Sequence, residues 1–272
     1  MVSSLKHSLQ KNSPIIKYSV LWALGVTGFI GSIAYTIYSH EYLYWLFSYL
    51  YFRSLWMFTN GIGLHRYFSH HTFKTGPWRH NFLAWITVLG GVGSPFTWSI
   101  HHRHHHTYSD TARDVHSPLE SKWKAIFGTW AIMPMSWWTD VKGVKTIPRD
   151  LYKDSTVMFI NTHYYKIWTM IFISALLVGG WKFSLFYIMA PIGWNLFHGA
   201  LTNCFNHLTI PGAYRNYETP DHSQNNKWIN LYLLGEGLHN NHHAQPDNYN
   251  QAHANGEFDV GAWIIKKFFM IE

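Results

Sequence analysis

The sequence predicts an all-α integral membrane protein in which four transmembrane helices carry a helical cap on the cytoplasmic side. Three observations lead there. Aromatic residues make up 18% of the 272 residues and charged residues only 13%, against about 25% charged residues in ordinary soluble domains. Uncharged apolar runs of about twenty residues recur, which is the length that crosses a bilayer. Histidines at repeated spacings occupy the polar segments next to those runs.

The first two spans are predicted at residues 18–38 and 42–64, joined by a short turn. Lys6, Lys11 and Lys17 precede the first span, so the positive-inside rule places the N-terminus in the cytoplasm. The first span lacks a small-x-small cleavage site and is interpreted as a retained anchor. Arg53 lies near the middle of the second span, where a charge is costly. It either snorkels, faces a partner helix, or indicates that the boundaries are shifted.

Residues 78–100 are apolar but are interrupted by Gly90, Gly91, Gly93 and Pro95. This segment either crosses the membrane or forms a re-entrant or interfacial helix. We favour the second alternative, because the histidines on both sides of it must share one membrane face to bind one centre.

The third and fourth spans are predicted at residues 167–181 and 183–205, with the turn at Lys182. Asn195 and His198 lie inside the fourth span, where a polar side chain is either functional or hydrogen-bonded to a neighbouring helix. Four spans return both termini to the cytoplasm. The whole chain, 1–272, is predicted to form a single domain, with its cap at 65–166 and 206–272.

Basic and aromatic residues support this topology. Twelve Lys and Arg residues between positions 66 and 166 indicate a cytoplasmic segment. Trp130, Trp137 and Trp138 are typical of an interfacial stretch, and residues 263–269 of an amphipathic interface helix. The net charge of +7 suits anionic lipid head groups or an acidic redox partner. Nucleic acid is not expected, because the basic residues form no stripe.

Three histidine boxes are the strongest functional signal. In a helix, His102, His105 and His106 fall within an arc of about 100°, so three imidazoles on one face can point at one metal. The i, i+3, i+4 spacing recurs at residues 239, 242 and 243. His65 and His70 are five residues apart, about 140° round an ideal helix, so the helix is predicted to bend or end there. A solvated histidine-rich loop explains one box but not the repeat.

These ligands restrict the chemistry. Cys204 is the single cysteine, which excludes an intrachain disulfide and a thiolate metal site. Eight box histidines exceed the four ligands of one tetrahedral zinc, so two metals sharing about four imidazoles each fit better. Neutral imidazoles suit iron or copper. Beside an apolar cavity, such a centre indicates oxygen activation against an unactivated C–H bond of a lipid chain.

The boxes and their flanking residues resemble those of the membrane fatty acid desaturase family, in its acyl-CoA (stearoyl-type, Δ9) and bacterial acyl-lipid branch. The resemblance covers about residues 40 to 250. The matching motifs are His65-Arg-Tyr-Phe-Ser-His70, the run from His102 through Asp110 and Asp114 to Pro118, and the run from Gly235 through Glu236 and the third box to Pro246.

The resemblance implies a di-iron site held by nine histidines. The ninth looks like His207, and Asn203 looks like a residue that reaches one metal through water. Asp110, Asp114 and Glu236 are either carboxylates that orient imidazole N–H groups or solvent-exposed charges. The full implied ligand set is His65, His70, His102, His105, His106, His207, His239, His242 and His243; the extra histidines left out of it are His71, His101, His104 and His116.

The implied reaction uses two iron ions and O2 to place a cis double bond, at Δ9, in a saturated acyl chain carried by CoA or as a lipid ester. Because the sequence contains no His-Pro-Gly-Gly haem motif, a separate electron donor is expected, a cytochrome b5-like protein or a ferredoxin with its reductase. Two rivals stay open. One is a lipid hydroxylase or alkane monooxygenase with the same boxes. The other is a membrane metal-binding or transport protein, which histidines gathered at one membrane face disfavour.

Overall fold

The computed structural model describes residues 14–114, 117–119, 121–127 and 148–271. This part of the chain is mostly helical, as the sequence predicts. Its β-structure is one antiparallel pair of two-residue strands, β1 (Ala213–Tyr214) and β2 (Asn225–Asn226), in which Ala213 faces Asn226. Trp130, Trp137, Trp138 and His116 lie outside the described residues.

The N-terminal half contains four longer helices and the π-helical extension of one of them. In chain order these are α1 (Pro14–Ser39), α2 (Tyr42–Trp56) with its π-helical continuation Met57–Ser69, α3 (Pro77–Ile86) ending in a 3-10 turn at Thr87–Gly90, and α4 (Pro95–Tyr108).

The C-terminal half begins with one long helical run and ends with shorter pieces. They are α5 (Lys122–Phe127), α6 (Arg149–Tyr152), α7 (Ser155–Ser174), a π-helix (Ala175–Gly179), α8 (Gly180–Phe183), a π-helix (Ser184–Met189), α9 (Ala190–Asn203), a 3-10 turn (Phe205–His207), α10 (Lys227–Leu233), α11 (His239–Ala244), α12 (Val260–Ile264) and a π-helix (Ile265–Phe269).

Two helical stretches of the described chain are long and apolar enough to cross a membrane, Val20–Ser39 and Ser155–His207. At about 1.5 Å per residue, the 53 residues of the second stretch exceed twice the ~30 Å thickness of a bilayer core. Gly180 interrupts this stretch with a φ of +73°, two residues before the predicted turn at Lys182. The membrane-type helical architecture is confirmed, whereas the count of four spans stays a prediction.

The break predicted within residues 78–100 is present. The helices Pro77–Gly90 and Pro95–Tyr108 meet at an angle of 78°. Gly91 and Gly93 form the bend with φ values of +71° and +116°, which residues other than glycine rarely adopt. The pair would count as a third span only if it crossed the membrane as one unit.

The helix of the second predicted span continues into the first histidine box. From Met57 to Ser69 it has π-helical hydrogen bonding, and the His70 N–H donates to the His65 carbonyl at 3.3 Å. The helix was predicted to bend or end at this box, and it ends at Ser69. An i→i+5 bond stacks residues five apart, so His65 and His70 approach each other despite their 140° separation on an ideal α-helix.

Polar side chains of the apolar helices connect neighbouring elements. Arg53 donates to the carbonyl of Tyr232 on α10, so it faces a partner helix, the second of its three predicted alternatives. Asn195 donates to Asn60 and to the carbonyl of Gly90 at 3.1 and 2.7 Å. His198 lies 3.0 Å from the Tyr232 hydroxyl. These contacts favour the interhelical hydrogen-bonding alternative for the polar residues of the fourth span.

The far end of the bundle and the C-terminal tail complete the fold. Lys182 pairs with Glu41 at 2.9 Å, so the turns after the first and third predicted spans lie together. In the tail, Ile265 and Phe269 are buried while Lys266 and Lys267 are exposed, as in an amphipathic helix. Its place at the membrane interface stays a prediction.

Candidate metal centre

Nine histidines converge between the ends of the apolar helices and the C-terminal segment. The π-helix and its terminal residue supply His65 and His70, the last turns of α4 supply three more, and α11 supplies another three. His207 comes from the 3-10 turn that follows α9. The histidines separate into two groups.

The first histidine group contains five rings that meet through their Nε2 atoms. The Nε2 of His242 lies 2.9 Å from that of His65 and 2.9 Å from that of His106. The Nε2 of His102 lies 3.1 Å from that of His106 and 2.8 Å from that of His70. Such short separations place the five Nε2 atoms around one common point.

The second histidine group contains four rings whose ligand atoms all lie within 4.8 Å of one another. The Nε2 of His207 is 3.0 Å from that of His239, and the Nε2 of His105 is 3.3 Å from that of His243. His207, assigned from the family resemblance alone, is therefore in contact with box histidines.

Each His-x-x-His-His triplet contributes to both groups. In α4, His102 and His106 belong to the first histidine group and His105 to the second. In α11, His242 belongs to the first and His239 to the second. The expectation that one triplet points at one metal is therefore wrong. Residues i and i+4 are stacked on a helix and residue i+3 is offset from them, so a triplet can bridge two adjacent centres.

Four of the nine rings donate their other nitrogen, Nδ1, to a buried or half-buried carboxylate. Such contacts fix the ring orientation and leave Nε2 free to bind a metal. The pairs are His65 with Glu236 at 2.6 Å, His105 with Asp114 at 2.9 Å, His207 with Asp110 at 2.8 Å and His243 with Asp221 at 2.5 Å.

Asp110, Asp114 and Glu236 therefore occupy positions next to histidines, in accord with the first of their two predicted roles. Asp221 was missed. It lies in the polar segment between His207 and the third box, outside every motif, so neither spacing nor resemblance selected it. Its carboxylate also accepts hydrogen bonds from Thr219 and Ser223, both at 2.6 Å. Aspartate between a threonine and a serine is a loop signal, which does not distinguish this role.

Glu236 is further held by Arg66, whose fully buried guanidinium donates to it at 2.7 Å and to Asp259 at 3.0 Å. Burial acts to raise the pKa of Glu236, but the charges of Arg66 and His65 lower it to about 2. The carboxylate is therefore ionised and accepts a hydrogen bond from the Nδ1–H of His65.

The donor set fits a metal cation. In its neutral form, a ring whose Nδ1 donates to a carboxylate, as in His105 and His243, carries a lone pair on Nε2. Two lone pairs that face each other at 3.3 Å repel unless a cation lies between them. Burial lowers the pKa of His70, His239 and His242 well below the ordinary value, so these rings are neutral and their lone pairs are available to a metal.

Comparison with known proteins identifies the family of the chain. The fatty acid desaturase family profile matches residues 40–255, which is most of the chain and includes all nine histidines. The chain belongs to the fatty acid desaturase family. It is therefore an oxidoreductase, as members of this family are, and the resemblance stated from the motifs is confirmed.

Curated relatives of this desaturase act at several positions of the acyl chain. It is 32% identical to the sn-1 stearoyl-lipid 9-desaturase of Anabaena variabilis, over 70% of this chain and 69% of that protein. It is 30% identical to Delta-9 acyl-lipid desaturase 2 of Arabidopsis thaliana, over 88% and 78%. The Icosanoyl-CoA 5-desaturase of Limnanthes douglasii is 32% identical, over 74% and 56%.

A cavity of the desaturase opens onto both histidine groups. Asn203 lines it together with His65 and His102 of the first histidine group and His239 of the second. Trp56 and Trp98 contribute aromatic rings to its lining, Thr202 contributes a small side chain, and Gly61 and Gly199 add no side chain. Asn203 is thus close to both groups, although its predicted contact through water stays a prediction.

The four histidines left out of the ligand set lie outside both groups where the structure describes them. His71 lies 2.6 Å from Asp150 at the surface, and His104 lies 2.8 Å from the carbonyl of Arg113. His101 is buried in α4 but belongs to neither group.

Proposed function

We propose that this desaturase introduces a cis double bond at carbon 9 of a saturated fatty acyl chain that is carried by CoA or esterified in a lipid. The observation that carries the proposal is the pair of buried imidazole groups that share one cavity. Relatives named as Δ9 desaturases of stearoyl lipid and acyl lipid support the bond position. The relative named for an acyl-CoA keeps both carriers in the proposal.

The nine histidines would hold two iron ions, five imidazoles in the first histidine group and four in the second. Iron, when bound, would supply the activation of O2 and the redox equivalents for C–H cleavage. The carboxylates that accept the Nδ1 protons would keep the rings oriented. His residues are assigned no proton-transfer role, because their Nε2 atoms face the centre.

The cavity residues would position the acyl chain. Trp56 and Trp98 present ring faces that exclude water and confine a methylene chain beside the histidines. Gly61 and Gly199 leave the width that a bent chain needs. Correct placement of two vicinal carbons is the contribution that the protein itself makes to regiochemistry.

The proposal includes the membrane topology. Four spans would place both termini and the metal centre in the cytoplasm, as the lysine-rich start of the chain and the basic segment 66–166 indicate. The contact between Lys182 and Glu41 supports it, since it brings the two non-cytoplasmic turns together. Electrons would come from a separate cytochrome b5-like protein or a ferredoxin with its reductase.

The test is a fatty acid profile. The chain is expressed in a host that lacks its own desaturase, together with a compatible electron donor. Gas chromatography with double-bond location is applied separately to the acyl-CoA and glycerolipid pools after a short pulse of labelled saturated acid. We expect a new Δ9 cis-monounsaturated acid. Its first appearance in one pool identifies the carrier.

Matched variants connect the product to the site. His207→Ala and His242→Ala remove one ring from each histidine group and should lower the product at least 100-fold. His163→Ala removes a half-buried histidine of α7 that belongs to neither histidine group and should leave the product unchanged. Hydroxylated fatty acids in place of the alkene would contradict the proposal and assign the chain to the hydroxylase rival. A purified protein that binds zinc but no iron would contradict the di-iron site.

A further inference from the structure

A buried chain of side chains connects residues 249–262 to the first histidine group. The Nδ1 of His65 donates to Oε2 of Glu236 at 2.6 Å, and the other oxygen of that carboxylate, Oε1, accepts from Nη2 of Arg66 at 2.7 Å. The Nη1 of Arg66 donates to Oδ1 of Asp259 at 3.0 Å. The side chains of Arg66 and Asp259 are both 1% exposed. Three buried contacts therefore separate Asp259 from a ring of the metal centre.

The guanidinium of Arg66 determines how the carboxylate of Glu236 is turned. Its N–H groups lie in one plane with fixed directions, so the groups that hold one edge of it decide where the other edge points. Asp259 and the carbonyl of Tyr249, both at 3.0 Å, hold Nη1, and Nη2 is thereby directed at Oε1 of Glu236. With Oε1 held, Oε2 is the oxygen that faces His65. The orientation of this ring thus depends on a carboxylate that does not touch it.

Two glycines leave room for the pair formed by Arg66 and Asp259. A Cβ at Gly261 would lie 2.9 Å from Nη1 of Arg66, and a Cβ at Gly235, directly before Glu236, would lie 2.5 Å from Oδ1 of Asp259. Because side chains pack at van der Waals distance, a larger residue at either position would displace the pair. The backbone on both sides is therefore built around this contact.

The backbone also holds the Asp259 carboxylate directly. Its Oδ1 accepts from the N–H of Ala262 at 2.9 Å and caps α12, and its Oδ2 accepts from the N–H of Gln251 at 2.8 Å. Next to it, the N–H of Val260 donates at 2.9 Å to the carbonyl of Leu234, two residues before Glu236. The position of Asp259 is consequently fixed relative to both the segment 249–262 and the third box.

We propose that Asp259 is a positioning residue of the metal centre, which acts through Arg66 and Glu236 to hold His65 in the orientation that binds the cation of the first histidine group. The inference rests on the proposed di-iron function. Loss of a partner that orients a metal-binding imidazole typically lowers metal affinity 10- to 100-fold. The segment 249–262 is on this account part of the metal centre, although it supplies none of the nine histidines.

The test measures iron binding by the purified, metal-free full-length protein. Free 57Fe²⁺ is set with a competing chelator under anaerobic conditions, native mass spectrometry counts the bound ions, and Mössbauer spectra identify the doublet of each. Asp259→Asn keeps the size of the side chain and an acceptor for the Ala262 N–H. We expect it to weaken the binding of one ion about 10- to 100-fold and to leave the other unchanged. The weakened ion should be the one whose doublet is absent in His70→Ala, which lacks a ring of the first histidine group.

A double-mutant cycle tests whether Asp259 acts through Glu236. Glu236→Gln and the double variant with Asp259→Asn are measured in the same way. The double variant should bind the affected ion within about twofold of Glu236→Gln alone, because the oriented carboxylate is already lost there. A contribution of Asp259 to general stability would instead add its own full factor.

Two controls are matched to the substitutions. Asp154 also caps a helix, α7, and also pairs with a basic side chain, His80, at 2.9 Å, so Asp154→Asn should leave both dissociation constants unchanged. If thermal unfolding shows that Asp259→Asn is misfolded, Gly261→Ala replaces it, because the added Cβ would displace the Arg66 guanidinium without removing a charge. Gly76→Ala, whose Cβ would meet no atom within 4 Å, is the control for that variant.

The outcomes separate this inference from the proposed function. Unchanged iron binding in Asp259→Asn, an equal loss at both ions, or additive effects in the cycle would overturn the role of Asp259 and leave a di-iron desaturase intact. A wild-type protein that binds no iron at all would overturn the proposed di-iron function, and the inference with it.

Discussion

Helices α4 and α11 carry the same histidine triplet but are held in place by different interactions. Helix α4 runs over 14 residues and presents its triplet in its last turns. Helix α11 has six residues, and its triplet spans nearly all of them. Isolated helices this short are not stable in water, so the two triplets need different support.

Local sequence and apolar packing stabilise α4. The Ser94 hydroxyl accepts from the Thr97 N–H at 3.2 Å, and Thr97 bonds back to the Ser94 N–H, which forms a capping box. Pro95 occupies the first turn, where its missing N–H costs nothing. Phe96 and Ile100 are both 1% exposed and belong to the main apolar core.

Asparagine side chains stabilise α11. Asn241 is fully buried, and its side-chain oxygen accepts from Asn216 and Asn225 at 2.9 and 2.7 Å. Its nitrogen donates to the carbonyl of Gln251 and to Glu257, both at 2.8 Å. A polar network thus does for α11 what a cap and a core do for α4. The two triplets are alike in their histidines, and the two helices differ in the residues between those histidines.

The largest effect is expected from a substitution that breaks this network. Asn241→Ala leaves four partners, of which Asn225 and Gln251 are buried, without one of their hydrogen bonds. At about 1 kcal/mol each, the free energy of unfolding should fall by about 3–5 kcal/mol. Position 104 is the equivalent site in α4. His104→Ala removes a 2.8 Å contact with the Arg113 carbonyl and a ring contact with Tyr108, so a smaller loss of about 1–2 kcal/mol is expected there. Thermal unfolding in detergent measures both. Equal losses would show that the two helices depend equally on the middle of the triplet.

Removal of the metal should increase the local motion of α11 more than that of α4. Without a cation, lone pairs that face each other repel. Helix α11 has six residues against 14 in α4, so it should unfold locally at a lower free-energy cost. We expect amide exchange in residues 239–244 to accelerate about 100-fold on chelation, which corresponds to about 2.7 kcal/mol. Residues 95–101 of α4 should change less than threefold. Hydrogen–deuterium exchange with mass spectrometry reports both segments in one sample, and a larger change in α4 would reverse the comparison.

The smallest expected effect concerns the cap of α4. Ser94→Ala removes a side-chain acceptor for the Thr97 N–H and should lower the free energy of unfolding by about 1 kcal/mol. Ser94→Asp keeps an acceptor and is the matched control. Because the apolar core holds the rest of α4, iron content should be unchanged in both variants. A loss of iron in Ser94→Ala would mean that the cap, and not the core, sets the position of the second box.

Much of the candidate site could be predicted from the sequence because histidine spacing is a local property. The two triplets and the pair at residues 65 and 70 lie within single helical segments, where i+3 and i+4 neighbours are fixed by helix geometry. His207 needed the family resemblance, since a lone histidine carries no spacing. Asp221 could not be found from the sequence, because its partner His243 is 22 residues away and its own neighbours are typical of a loop.

The fold, too, could be predicted only in part. The apolar runs and the glycine-rich break before α4 are encoded in composition, because burial in lipid demands continuous apolar segments. The π-helical bonding of the second helix was not predicted, and neither was its contact with Glu236, which bonds to His65 and Arg66 of this helix from a distant part of the chain.

The sequence by itself determined the class of protein, the ligand type and eight of the nine rings, because these depend on residue identity and short-range geometry. The tertiary structure decided how the rings divide between two groups and which carboxylate faces which ring. Those properties are set by contacts between helices far apart in the chain. Short-range geometry does not determine them.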